Sequence, residues 1–590
     1  MCGIGGIVFS SLTETELESK VAPFHEVQKH RGPDDQAHFL SLPCLLMHQR
    51  LTLIDAEGGA QPFQDLTKRY TLIWNGEVYN HDVLRELLKI EFSIPFQTRS
   101  DTEVLLYLLI HYGVEGLNRI EGMFAGALWD SQEEQLTLFR DALGIKPLVC
   151  AYENATLYFA SEVKGLLTLL PVKPLLNEEA IMRHWLMPAL SMTQELPFLG
   201  MQILEEGSAL IVSRGKAQTI SWLQTTRSGK EYSPNDLLKA LKESLHLTTQ
   251  SDFNVGIFLS GGLDSSLLYV LAKEAEISLE SLSLDYEDLP SCSFDKEVVV
   301  NSDDRPFVQK IISTYGGKHQ FVSNSFDEYR EIIKTLSIVN DRIPSWEQEV
   351  SQQTLAAQAT KTSKAILVGD AADELFYGYH FCLDKEANSS VLHFFNRMGA
   401  YERVGLLNDT SAKKFTVQSL ANEFKAVLDQ QAYIFDTEVA RMEAITFLLQ
   451  KYWLQRLMHH GDIHLMHHSL EGRLPFANRM VHSIASTLSS NEGFKKGIEK
   501  AFLREAARDV LPDEWRLRKK SALPRDPRQK LIYSTLLEEV LVEPHEFIVR
   551  YFNLTRLGSL LQKETWTEWE GQAVFHVITL HFWLEHYAAE

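Results

Sequence analysis

The sequence predicts a two-part chain: a strand-rich α+β front half, then an α/β rear half built on a parallel sheet and finished in helices. Three observations carry that expectation. Short β-branched and apolar runs broken by turns fill roughly the first 220 residues. Strand-sized and helix-sized apolar runs alternate beyond residue 250, as in βαβ units. Helical spacing dominates from Val417 onward, and there is no internal repeat.

In order, Cys2–Phe9 opens as a glycine-broken apolar strand. Further strands are expected at Leu45–Leu53, Tyr70–Trp74, Met123–Trp129, Gln135–Arg140, Leu157–Ala160 and Ala209–Val212. Val83–Leu88 and Thr102–His111 carry apolar residues at helical spacing. The polar, turn-rich stretch TTRSGKEYSP (225–234) sets the expected boundary, giving domains 1–224 and 225–590. Beyond it, Asn254–Leu259 is a short apolar strand that passes through two glycines into the helical pattern SSLLYVLAKEA. Leu282–Leu284 and Ala365–Val368 read as further buried strands.

Composition narrows the class of function. With 590 residues, 45% hydrophobic and 23% charged, the chain buries cores without staples and is neither disordered nor fibrous. Its 57 basic and 79 acidic side chains leave a net charge of −22. That field repels phosphate backbones and anionic lipid, and no long basic run offsets it, so neither nucleic acid nor a membrane is an expected partner. Five cysteines without a CxxC pair suit a reducing compartment. No apolar run reaches the ~18 residues of a membrane span. MCGIGGIVF lacks the basic start of a signal peptide, so the expected location is the cytoplasm.

Cys2 follows the initiator methionine. Removing Met1 leaves one residue that bears both a thiol and an α-amine of reference pKa near ~8, a nucleophile with its own base. Around it stand CGIGG, RGPDD (31–35), HQRLTLID (48–55), WNGEVYN (74–80), RSDTEV (99–104) and RDALGIKPL (140–148). In this order they strongly resemble a class II glutamine amidotransferase domain, an αββα sandwich of the N-terminal nucleophile type. The resemblance implies that Cys2 attacks the glutamine amide and that Asn75 and the Gly76 N–H form the oxyanion hole. Such donors are worth ~3 kcal/mol each in the transition state. It further implies that Arg50 clamps the glutamine carboxylate, and that Glu77 and Asp101 hold its ammonium. Ala37 departs from the Gly often found after RGPD.

VGIFLSGGLDSS (255–266) joins a buried strand to a helix through two glycines, so that backbone N–H groups and a helix N-terminus face phosphate oxygens. It lacks the GK[ST] of a Walker loop. With LVGDAADELFYGY (367–379), GDIHLMHHSLEGRLPF (461–476) and RLRKKSALP (516–524), it resembles the PP-loop synthetase domain of glutamine-hydrolysing asparagine synthetases, with a Rossmann-like parallel sheet. The likeness implies that Ser260, Gly261, Gly262, Ser265 and Ser266 cradle ATP phosphates, and that Asp264 and Asp373 hold Mg2+. Phe258, Leu284, Val368 and Gly369 would hold the adenosine. Asp370 would stand near the acceptor and ammonia. Lys520, or its neighbour Lys519, would offset charge in adenylation, and Arg473 would have an ion-pair role. Aspartate is the expected acceptor, and a homodimer is among the expectations because members often pair.

Several positions depart from that pattern. Val368 stands for a usual Ser, Ala371 and Tyr377 for usual glycines, and Gly472 for a frequent Ala. The run DRIPSWEQEVSQQTL (341–355) lacks the usual DPSALP-like stretch and leaves the acceptor open. Three other readings therefore stand beside asparagine formation: the same mechanism on another acid from a natural-product or polysaccharide pathway, a β-lactam synthetase-like cyclisation, and a catalytically silent binding or regulatory protein. His460, His464 and His468 recur at helical spacing beside His459 and His467. Without HExxH or a nearby Cys, a packed helix near the site is expected there, and no zinc.

Overall fold

The computed structural model describes every residue except 1, 10, 56, 154, 191–195, 214–215, 224–230, 287–302 and 589–590. Met1, Cys292 and most of the expected boundary stretch thus lie outside the described residues.

The front half contains β1 (Cys2–Val8), β2 (Asp35–Ser41), β3 (Cys44–Arg50), β4 (Phe63–Gln64), β5 (Tyr70–Val78), β6 (Gly122–Asp130), β7 (Gln135–Arg140), β8 (Val149–Glu153), β9 (Thr156–Ala160), β10 (Met201–Ile203), β11 (Ser208–Ser213) and β12 (Lys216–Ser221). They form two six-stranded sheets, β10-β8-β9-β1-β3-β2 and β12-β11-β7-β6-β5-β4. Ile4, Val8 and Leu46 of the first sheet pack on Ile73, Ala125, Leu136 and Leu138 of the second. The outer face of the second sheet is covered by helices His81–Phe92 and Asp101–Tyr112, through Leu84, Leu88, Val104 and Leu108 against Leu72 and Trp74. The first sheet is covered by Val21–Gln28 and Val163–Leu169, through Phe24, Val163 and Leu166 against Ile7 and Met47. The result is an αββα sandwich. Covering both faces explains why β1 and β3 are buried at every residue instead of alternating.

The rear half holds β13 (Val255–Phe258), β14 (Glu280–Leu284), β15 (His319–Val322), β16 (Ala365–Leu367) and β17 (Glu471–Arg473), all parallel, in the order β15-β14-β13-β16-β17. The chain runs outward from β13 through β14 to β15, then restarts on the other side with β16. The crevice beyond the carboxyl ends of β13 and β16 is therefore the switch point where an open α/β sheet binds its ligand. Helices dominate from Val417 on, interrupted by β17.

Sequence and structure differ at the edges. The expected strand Leu45–Leu53 ends at Arg50, and the expected helix Val83–Leu88 extends over His81–Phe92. Strand β2 carried no apolar signal because it is a largely exposed edge strand. No helix among the described residues is long and apolar enough to cross a membrane.

The halves meet through buried charge. Arg31 Nη1 pairs with Glu162 at 2.6 Å and Nη2 with Asp462 of the rear helix Leu454–His467 at 2.7 Å. Lys146 pairs with the other Asp462 oxygen at 3.2 Å. All four side chains are at most 1% exposed.

Two candidate active sites

The first site sits where β1, β3 and β5 converge. Register pairs Cys2 with Arg50, and β5 carries Asn75 and Glu77 two residues apart, on one face. Cys2 N donates to Asn75 Oδ1 at 2.9 Å, and Arg31 Nε donates to the Cys2 carbonyl at 3.0 Å. Asn75 Nδ2 is buried without a hydrogen-bond partner, so a free donor lies on a residue hydrogen-bonded to Cys2, as an oxyanion hole requires. Gly76 has φ +152°, and a Cβ there would collide with the Met123 carbonyl, so this position requires glycine.

Glu77 and Asp101 are both buried. Burial pushes the Glu77 carboxyl up to about 8, against the pull of Arg473; burial also raises Asp101, whose Oδ2 accepts from Val78 N at 3.1 Å. Glu77 Oε1 accepts from Arg473 Nη2, while Oε2 is buried and unpartnered. The free Glu77 Oε2 and the neighbouring Asp101 carboxyl leave acceptor capacity that suits an ammonium ligand. Arg50 Nη2 donates to the Asp55 carbonyl at 2.9 Å.

The second site is a cavity of about 300 Å³ at the predicted crevice. Its lining includes Phe258, Ser260, Asp264, Ser265, Leu284, Val368, Gly369, Asp370, Asp373 and Lys520. Gly261 and Gly262 turn the loop behind this wall, Gly261 at φ +66° with Phe307 packed where a Cβ would be. Ser266 is fully buried in helix Leu263–Glu274 and is not part of the lining. Ser265 Oγ accepts from Ser260 N at 3.2 Å and holds the loop onto that helix. Lys520 lines the cavity and its Nζ lies 2.6 Å from Asp373 Oδ2; Lys519 is exposed and outside the lining.

Lys500 was not legible in the sequence. Its Nζ lies 2.5 Å from Asp264 Oδ2 and 2.7 Å from Asp373 Oδ1, and it is 2% exposed. No spacing marks it; the one available signal was that two half-buried carboxylates demand more than one cation. Burial alone would raise Asp373, but Lys500 and Lys520 hold it well below the usual carboxylate range. Asp370 goes the other way: burial, with Asp373 and Asp264 nearby, lifts it to about 6 against Lys520.

Asp264 Oδ1 is buried without a partner. The space between the two carboxylates is held here by a lysine ammonium, so it suits positive charge, and both residues fit a magnesium ion.

The histidine helix faces helix Gln348–Ala359. His464 Nε2 lies 2.9 Å from Glu349 Oε2, and His468 Nε2 lies 2.6 Å from Gln353 Oε1. Among the described residues, no group of three or more His, Cys, Asp or Glu is placed to hold a metal.

Fold and sites together define a glutamine amidotransferase joined to a nucleotide-binding α/β synthetase. The chain belongs to the asparagine synthase family, whose model matches residues 236–585, while a glutamine amidotransferase domain model matches residues 1–223. It is 27% identical to asparagine synthetase [glutamine-hydrolyzing] 3 of Bacillus subtilis over 100% of this chain and 99% of that protein. It is 30% identical to asparagine synthetase B [glutamine-hydrolyzing] of Escherichia coli over 67% of each chain.

Proposed function

We propose that the chain amidates a carboxylate with ATP and glutamine, converting aspartate to asparagine, with domains 1–224 and 225–590 in separate roles. The observation that carries this reading is the joint presence of an unpartnered Asn75 donor beside Cys2 and an Asp–Lys cluster at the switch point of the parallel sheet.

In the front half, Cys2 Sγ attacks the side-chain amide carbon of glutamine, and the α-amine freed by loss of Met1 takes the thiol proton. Asn75 Nδ2 and the Gly76 N–H stabilise the oxyanion. The C–N bond breaks, the amine returns its proton to the leaving nitrogen, and water hydrolyses the thioester to glutamate. Arg50, Glu77 and Asp101 orient the amino-acid end.

In the rear half, an acceptor carboxylate oxygen attacks the α-phosphorus of ATP and the α–β bond breaks to release pyrophosphate. Lys520 and Lys500 face the charge that develops. A bound magnesium ion, held by Asp264 and Asp373, would neutralise the leaving group. Ammonia attacks the acyl carbon, AMP leaves, and Asp370, ionised above about pH 6, takes the proton. We place this work in the cytoplasm, in a homodimer without nucleic acid or membrane, on the charge, the sparse cysteines and the family's habit.

The test is Cys2→Ala, assayed for asparagine formation with glutamine and with ammonium. Glutamine use is expected to fall at least ~1000-fold and ammonium use to persist. Equal loss of both with the fold intact would refute the two-site reading.

A further inference from the structure

The synthetase cavity has two apolar walls that belong to different packing clusters. Phe258, Leu282, Leu284, Leu355, Val368, Leu465 and Leu523 form one cluster, at the nucleotide end. The other wall is aromatic and belongs to the main core: Trp346, Trp453, Tyr379 and Phe381, with Leu457. Its rings form one continuous surface. Trp346 and Trp453 are stacked with centroids 5.7 Å apart, Tyr379 lies 5.3 Å from Trp453, and Phe381 lies 6.2 Å from Trp453.

Each ring is held in place. Trp453 closes a π-helical turn, Leu449–Trp453, a rare geometry that recurs at functional sites. The Trp346 backbone N–H donates to Glu349 Oε1 at 3.1 Å, and Glu349 also accepts from Ser345 N, Asn340 and His464. The Tyr379 hydroxyl donates to Glu374. Helix Leu454–His467 carries this wall to the reacting centre, because a Cβ on Gly461 would stand 3.5 Å from Asp370 Oδ2. Neighbouring His460 lines the cavity, is 2% exposed, and has an Nε2 without a hydrogen-bond partner.

The acidic groups of this recess are already engaged, Glu374 by the Tyr379 hydroxyl and Glu349 by Ser345 N, Asn340 and His464, so neither calls for a ligand cation. Asp370, Glu374 and Glu349 line it, and burial keeps the His460 imidazole neutral. Lys520, paired with Asp373, is the one lysine or arginine among the described residues of the lining. A recess of this kind suits an uncharged, ring-sized body with one hydrogen-bonding group.

We propose that the acceptor site extends into this aromatic recess, so that the enzyme adenylates, alongside aspartate, monocarboxylic acids carrying an apolar or aromatic body. This rests on the adenylation reading above and widens its acceptor class. The step is the same: the acid's carboxylate oxygen displaces pyrophosphate at the α-phosphorus, and ammonia then displaces AMP.

The test is ATP–pyrophosphate exchange by the full chain with aspartate, 3-phenylpropanoate or 4-phenylbutanoate. Both aryl acids are expected to support exchange at least ~10-fold above the acid-free rate. Trp453→Ala should lower aryl exchange roughly 10-fold more than aspartate exchange, the scale of lost apolar contacts. Trp453→Phe, which keeps an aromatic wall, should show a smaller split, and it serves as the readout if the alanine variant does not fold. Exchange with aspartate but with neither aryl acid would overturn this proposal and leave the adenylation reading standing. An unchanged aryl-to-aspartate ratio in both variants would also overturn it. Exchange with no acid at all would overturn both.

Discussion

Arg473 Nη2 donates to Glu77 Oε1 at 2.7 Å, so a residue of the rear sheet holds a carboxylate of the proposed glutamine pocket. Arg473 is fixed by Glu471 at 2.5 Å and by the carbonyls of Thr248 and Gln250. Its own carbonyl accepts from Val368 N at 3.0 Å, one step from the nucleotide loop. Arg473→Gln should therefore remove the cation from Glu77 and strand the buried Glu471 carboxylate, which the same guanidinium pairs. The KM for glutamine is expected to rise at least ~10-fold and stability to fall by roughly 3–5 kcal/mol, the cost of stranding a buried ion. Steady-state kinetics and denaturant unfolding measure the two effects; Arg473→Lys should restore part of both.

Lys500 is the second cation of the synthetase site. Lys500→Met would leave Asp264 and Asp373 facing each other with Lys520 alone. Exchange activity should drop roughly 100-fold or more while glutaminase activity stays within about twofold. Equal losses in both assays would show that Lys500 supports the fold and not the chemistry.

The pH response of Asp370 has a definite sign. Its folded pKa, about 6, lies above the ordinary 3.8, so ionising it costs stability, and this cost grows as pH rises from about 4 through 6. Asp370→Asn should be more stable than the parent at pH 8, by roughly 2 kcal/mol at most for a half-buried group, and nearly equal at pH 4. The same variant should lose synthesis at every pH. In the parent, synthesis at constant free ammonia should decline as pH falls below about 6.

Ala371 and Tyr377 adopt φ of +74° and +60° at two positions where the sequence departs from glycine. Holding a non-glycine residue in this left-handed region costs ~1–2 kcal/mol each. Ala371→Gly should be neutral or stabilising by up to ~1 kcal/mol, whereas Ala371→Val should destabilise by ~2 kcal/mol or more, because a β-branched residue tolerates this region poorly. Thermal unfolding distinguishes the two.

Legibility followed from the kind of constraint. Cys2, Asn75, Ser260 and Asp370 stand in short strings that local sequence marks, two of them beside glycines, Gly76 and Gly261, where there is no room for a Cβ. The strand Glu471–Arg473 is short and two-thirds charged, yet fully buried. Arg473 pairs with Glu471 inside the strand and with Glu77, nearly 400 residues away, so no periodicity reveals it. Lys500 depends in the same way on Asp264, 236 positions distant in sequence. The aromatic recess draws on Trp346, Tyr379, Phe381 and Trp453, which meet only once the helices pack.

The buried cluster of Arg31, Glu162, Lys146 and Asp462 has a consequence for chimeras. A chimera that joins this amidotransferase to a foreign synthetase would strand a guanidinium or a carboxylate unless the partner supplied a matching acid at the position of Asp462. Exchanging either half alone should therefore cost the stability of a broken buried pair, and moving Arg31 and Asp462 together should recover it.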